Sequence, residues 1–238
     1  MHNFFERAGR WLAIQKRKAK LKNHSFTIIS NTCVGGVMTH NVGEQFRSPT
    51  VNLIIFEDQF LMFCRHLKEY SVCPMEAPTA EEQKQFEQYS YPVGILRGAS
   101  AGLPDINLYL VHYKSVEEAK AKWEARYQRI NYDDIFIVMD RGIEAKEEIL
   151  DAFHELPYEH KVIFSQFDDP QRWPYNYHPS FYTAEHFVSG AMYKNIQKGI
   201  FRYHWMDEFD YVRWLNTGVV ASGSLRVKND KDLSVQIH

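Results

Sequence analysis

Phe26-Thr27-Ile28-Ile29-Ser30-Asn31-Thr32-Cys33-Val34-Gly35-Gly36 is the stretch on which the fold turns. The apolar run from Phe26 to Ile29 is short and bounded by polar residues, the pattern of a buried strand. Small polar side chains and a glycine pair follow at once. At the carboxyl end of a strand in an open α/β sheet, that is the composition of a ligand crevice. Glycines let backbone N–H groups approach an anion or oxyanion, and the next helix adds its positive end. The same surroundings are expected to lower the pKa of Cys33 and to favour its thiolate as a nucleophile, with Ser30 the other candidate. A tight strand-to-helix turn, with Cys33 a small buried hydrophobe, is the competing reading.

Working outward from this loop, Val37 to Gly43 reads as a short helix stopped by glycine, and Val51 to Phe56 as a second strand. Glu57 and Asp58 open a helix with Phe60, Phe63, Cys64 and Leu67 on one face. Thr79 to Glu82 has the capping-box pattern of a short helix. Tyr91 to Leu96 contains Pro and Gly, which makes it an edge strand. Asn107 to Tyr113 is the next strand. Ser115 to Glu118 is a second capping box, opening the clearest helix, with Val116, Ala119, Trp123, Tyr127 and Ile130 facing inward. Ile135 to Met139 is a fully apolar strand, 144–154 a helix and Lys161 to Ser165 a strand. This alternation from 107 to 165 is the βαβ rhythm of a parallel sheet. The expected fold is a single three-layer α/β domain, 23–221, with a mainly parallel, Rossmann-like sheet and helices on both faces. An amphipathic, basic helix (1–22) precedes it, and a polar tail (222–238) follows.

The chain has 238 residues, enough for a full hydrophobic core. Its net charge of −2 gives no global attraction to phosphate backbones, which argues against a nucleic-acid partner. Cys33, Cys64 and Cys73 have neither metal-ligand spacing nor an even count, which points to a reducing compartment. No apolar run reaches transmembrane length and the N-terminus lacks signal-peptide layout, so a cytoplasmic location is expected. The stretch 3–22 combines an aromatic stripe with Lys16, Arg17, Lys18, Lys20 and Lys22. It reads either as a helix packed on the domain with a solvated basic end, or as a peripheral anchor on the inner face of an anionic membrane.

Polar residues mark three strand ends: Ser30 to Cys33, Asp140 with Arg141, and Ser165 with Asp168. In a parallel sheet they meet at one edge. Asp140 suits orienting a base or binding a sugar hydroxyl, and Arg141 suits a bidentate clamp on phosphate or carboxylate. His40, just past the glycine loop, and His112, ending a strand, are the candidate bases. No Walker loop is present, because Gly35-Gly36 lacks the following Lys-Ser/Thr, and no dinucleotide fingerprint or metal-binding His spacing is present either.

Four motifs together carry a family resemblance. They are Ser30-Asn31-Thr32-Cys33-Val34-Gly35-Gly36, Arg47-Ser48-Pro49-Thr50-Val51-Asn52-Leu53, Tyr91-Pro92-Val93-Gly94, and His112-Tyr113-Lys114-Ser115 with Trp123, Arg126, Arg129, Ile130 and Asn131. Over roughly 25–205 the chain resembles a bacterial family of unknown function, domain of unknown function 1919, whose members are labelled exopolysaccharide or capsule biosynthesis proteins. The resemblance implies a bacterial cytoplasmic protein of surface-polysaccharide assembly. The Asn-Cys loop is also similar, more weakly, to that of capsule acyltransferases and related hydrolases, although Asp207 follows His204 instead of preceding it.

The leading expectation is acyl transfer to a glycan precursor from an acyl-coenzyme A donor. Cys33 or Ser30 is then the nucleophile, His40 or His112 the base, and Asn31 with the Gly35 and Gly36 amides the oxyanion site. The alternative is a glycosyl or sugar-phosphate transferase. There the glycine loop with Arg126, Arg129 or Arg141 holds a nucleotide-sugar diphosphate and Asp140 touches the sugar or a metal. A third reading is a non-catalytic assembly factor docking through the N-terminal helix.

Overall fold

The computed structural model describes residues 2–142, 145–179, 195–198 and 201–221. The elements, in chain order, begin with α1 (His2–Lys20), β1 (Thr27–Ser30), α2 (Val34–Asn41) and α3 (Glu57–Arg65). A small-sheet segment follows, β2 (Met75–Glu76), β3 (Val93–Leu96) and β4 (Ile106–Tyr109), then α4 (Val116–Tyr127). The chain continues through β5 (Ile135–Gly142), α5 (Glu147–His154), β6 (His160–Ser165) and β7 (Asn176–Tyr177). A hairpin, β8 (Asn195–Lys198) and β9 (Phe201–His204), and α6 (Tyr211–Thr217) complete it. Short 3₁₀ turns lie between several of these.

The architecture is mixed α/β. A four-stranded parallel sheet has the order β1-β5-β6-β7, and β2-β3-β4 form a separate antiparallel sheet. Thr27 pairs with Ile135 and Ser30 with Val138, so the polar loop after β1 leaves the sheet beside Met139 and Asp140. Alternate residues of the parallel strands feed different cores, as the period of two requires. Ile29, Ile137, Met139 and Ile163 pack with Phe60 and Phe63 of α3, Trp123 of α4 and Phe153 of α5. Ile28, Phe136, Val138, Val162 and Phe164 pack with Val34 and Met38 of α2 and Trp214 of α6. Burial from both sides explains the unbroken apolar run Ile135 to Met139. Within the first core, Trp123 lies 5.7 Å from the Phe63 ring and 5.4 Å from the Tyr127 ring. Truncating such a residue costs about 3–5 kcal/mol.

Local signals behave as their chemistry dictates. Ser115 caps α4, its hydroxyl accepting from the Glu118 N–H. Thr79 and Glu82 exchange both capping-box hydrogen bonds, although the helix they open is a single 3₁₀ turn, Glu82–Phe86. Three expectations need correction. Val51 to Phe56 is buried in part but is not a strand; one bridge joins Ile54 to Tyr109. Asn52 takes a left-handed backbone, φ 71°, and side chains occupy the Val51 carbonyl, so no ladder extends through it. Segment β3 is the centre of its sheet, not an edge, because Pro92 falls just before it and Gly94 makes room for Met75. Finally, β4 runs antiparallel to β3 and joins no parallel sheet, so the βαβ rhythm is confined to β5–α5–β6.

The basic helix α1 packs on the body. Ala13 is buried, and Arg17 forms an ion pair with Asp207 at 2.6 Å. Asp207 also accepts from the Tyr211 hydroxyl and the His204 N–H. Asn216 of α6 receives the Lys22 N–H on its side-chain oxygen and donates its amide to the Lys20 carbonyl. None of the described helices is long and apolar enough to cross a membrane. The tail 222–238 lies outside the described residues.

Candidate functional site

The loop after β1 is built from the inside. Ser30 is buried; its hydroxyl donates to the Thr32 carbonyl at 2.6 Å and accepts the Gly35 N–H at 3.2 Å. Gly35 has no room for a side chain, since an added Cβ would stand 2.6 Å from Ser30 Oγ and 2.8 Å from Ile28. Helix α2 therefore sits directly on the strand. The Asn31 side chain clips β1 to β5: its oxygen accepts the Asp140 N–H at 2.8 Å and its amide donates to the Asp140 carbonyl. Both hydrogen bonds mimic a further rung of the ladder.

These contacts correct part of the expected chemistry. Ser30 is a turn-forming hydroxyl, closed off from any substrate, and the Asn31 amide and the Gly35 N–H are committed to the fold, not offered to an oxyanion. Burial pushes the Cys33 thiol up to about 11, opposite to the expected lowering. Cys33 occupies the N-cap position of α2, but desolvation outweighs any help from the helix end.

Beside this loop lies a cavity of about 540 Å³. One wall is Cys33, Gly36, Val37 and His40. Facing it are Phe46, Asn52 and His112, and α1 closes the space with Arg7, Arg10, Trp11 and Ile14. The cavity thus gathers Cys33, His40, His112 and Gly36 from the residues singled out by sequence. It also brings Arg7, Arg10 and Phe46, which local patterns did not mark, and Asn52, noted only within a family motif. Two arginines and two histidines border it, and no carboxylate does among the described residues.

The far wall is held by a clamp. Val51 presents its carbonyl to the Tyr113 hydroxyl at 2.8 Å and to Arg126 Nη1 at 3.3 Å. Arg126 also donates to the Tyr113 oxygen at 2.7 Å and lies over the Phe46 ring. Its exposure is 8%, and no carboxylate pairs with it among the described residues. Arg129 donates to the Phe46 carbonyl. Both arginines were expected to hold a ligand; neither borders the cavity, and both instead position the loop that does. The left-handed turn at Asn52 then sets its carbonyl against the His112 N–H, at 3.4 Å.

At the other strand ends, Asp140, Ser165 and Asp168 do not border this space. Asp140 is half-buried with its backbone held by Asn31, and the Arg141 side chain lies outside the described residues. Ser165 is buried and donates to Asn176, while Asp168 is exposed. A second hollow, about 390 Å³, lies between α1 and α6 and is bordered by Lys20, Lys22 and Arg213 with Asp207 and Asp210. Among the described residues, none of the expected site residues borders it.

Comparison with known proteins places this geometry in a family. Residues 6–216 match the family described as Domain of unknown function (DUF1919), a span that includes every wall of the cavity. An uncharacterized protein of Haemophilus influenzae strain Rd is 32% identical over 203 residues, which is 83% of this chain and 87% of that protein. The chain belongs to the DUF1919 family.

Proposed function

We propose that the protein is a transferase of bacterial surface-polysaccharide assembly that takes a phosphate-bearing glycan donor, a nucleotide sugar or sugar phosphate, in the cavity beside Cys33. The observation that carries this reading is the lining: Arg7, Arg10, His40 and His112 converge without an acidic residue among those described. Guanidinium groups match phosphate oxygens in a fork, and a half-apolar cavity of this size suits a small-molecule donor. In the reaction, an acceptor hydroxyl oxygen bonds to the sugar carbon as the bond from that carbon to the phosphate oxygen breaks. A histidine takes the hydroxyl proton, and the arginines stabilise the departing phosphate. The two cores on opposite sides of the parallel sheet support a three-layer, Rossmann-like arrangement. Three free cysteines support a reducing, cytoplasmic setting.

Thermal shift tests the reading. A sugar nucleotide at about 100 times its dissociation constant adds roughly 2.7 kcal/mol of stability, and Arg10→Ala is expected to abolish that shift. No shift with any nucleotide sugar or sugar phosphate would refute it. Acyl transfer remains the second reading because the Cys33 thiol shares the cavity with both histidines. It requires an acyl-enzyme adduct at Cys33 by mass spectrometry after exposure to acyl-coenzyme A, lost in Cys33→Ala.

A further inference from the structure

We propose that the outward face of α1 seats the protein on an anionic membrane surface. Between Arg7 and Lys22 the chain carries seven basic residues and no acidic one, although the whole molecule is slightly negative. The charge is therefore concentrated on this helix and the turn that follows it. On the same helix Trp11 is 59% exposed and Leu12 40% exposed, side by side in sequence. Among the described residues, the other exposed large apolar side chains, such as Val72 and Tyr132, belong to separate segments. An exposed indole and an exposed aliphatic side chain on a helix that ends in a lysine-rich run match the boundary between headgroups and acyl chains.

The helix keeps this face outward because its opposite side is engaged. Ala13 is buried and Arg17 is tied to Asp207, so docking leaves the fold intact. Arg7, Arg10 and Trp11 also border the cavity. A protein seated through α1 therefore holds its cavity next to the bilayer. Charge and exposure alone would drive this docking, whichever ligand the cavity takes.

The test is flotation of the full chain with vesicles containing phosphatidylglycerol and with vesicles of phosphatidylcholine alone. Binding is expected only to the anionic vesicles and is expected to weaken as salt is added. Each lysine near the surface contributes about fivefold in partitioning, so Lys18→Gln, Lys20→Gln and Lys22→Gln together are expected to lower it roughly a hundredfold. Trp11→Ser with Leu12→Ser is expected to weaken it with an unchanged melting temperature, since both side chains are exposed. Absence of binding, equal binding to neutral vesicles, or full binding by both variants would overturn the proposal. Retention by a soluble polyanion without flotation would overturn it too, by assigning the face to a different partner.

Discussion

Replacing Gly35 with alanine tests the closeness of α2 to β1, on which one wall of the cavity depends. The added Cβ would meet Ser30 Oγ at 2.6 Å, Ile28 Cγ2 at 2.8 Å and Ser30 Cβ at 2.9 Å. Opening the first approach to an ordinary 3.4 Å contact lifts α2 off the strand by roughly 0.8 Å. Overpacking of this kind costs about 1–3 kcal/mol. The same movement stretches the Gly35 N–H to Ser30 Oγ bond, already 3.2 Å long, and losing it costs about 1 kcal/mol more. Alanine returns about 1 kcal/mol in helix propensity, so the net loss is about 2 kcal/mol. For a domain of this size that lowers the melting temperature by roughly 4–8 °C, measurable by circular dichroism or calorimetry. Ser30→Ala removes one of the three crowding atoms, so the double variant should lose less than the sum of the two single variants. Since α2 also carries Gly36, Val37 and His40 to the cavity, ligand affinity should fall with stability. A Gly35→Ala protein that melts at or above the wild type would refute the close approach.

Three further outcomes are expected. Burial, with Arg10, Arg17 and His40 nearby and Asp207 opposing them, pushes the His204 imidazole below its usual range. The unfolded chain therefore takes up the proton first, and stability is lost as pH falls below about 6.5. His204→Asn should flatten that part of the melting-temperature profile; an unchanged slope would show that another group is responsible. The Cys33 thiol, near 11 instead of 9.0, should react with iodoacetamide at neutral pH roughly a hundredfold more slowly than a free thiol. Peptide mass spectrometry finding ordinary reactivity at Cys33 would contradict its burial. Lys161 is buried and donates to the His154 and Leu156 carbonyls, both at 2.6 Å, closing the end of α5. Lys161→Met should cost about 2 kcal/mol by stranding these acceptors, and a melting temperature within a degree or so of wild type would count against that role.

What the sequence made legible was local. The buried strand Thr27–Ser30, the cap at Ser115 and the apolar run through β5 each follow from a few adjacent residues. Pairing was less accessible. Ile106–Tyr109 has the composition of any buried strand, and only its partner β3 makes it antiparallel. The run from Val51 to Phe56 was apolar for burial, while the turn at Asn52 and the side chains on the Val51 carbonyl removed it from any sheet. For the site, the glycine loop led to Cys33, Gly36 and His40, and His112 was found on its own position. Arg7 and Arg10 were hidden because they reach the cavity from another helix. The arginines of α4 and the turn after it looked like ligand-binding groups because their charge is visible in sequence, whereas the carbonyls they serve are not.

The clasp between the two halves of the chain has a kinetic consequence. Asn216 bonds to Lys20, Lys22 and Asn23, and Arg17 meets Asp207, so partners nearly two hundred residues apart must come together. Closing so long a loop forfeits chain entropy before any contact rewards it. During synthesis α1 is made well before α6, yet the side chain that fastens its end belongs to α6. Until α6 arrives, the basic helix has its sheet-side face unpartnered there. In the finished protein the same clasp is where opening should begin, with the amides around Lys20 to Asn23 exchanging ahead of those in β5.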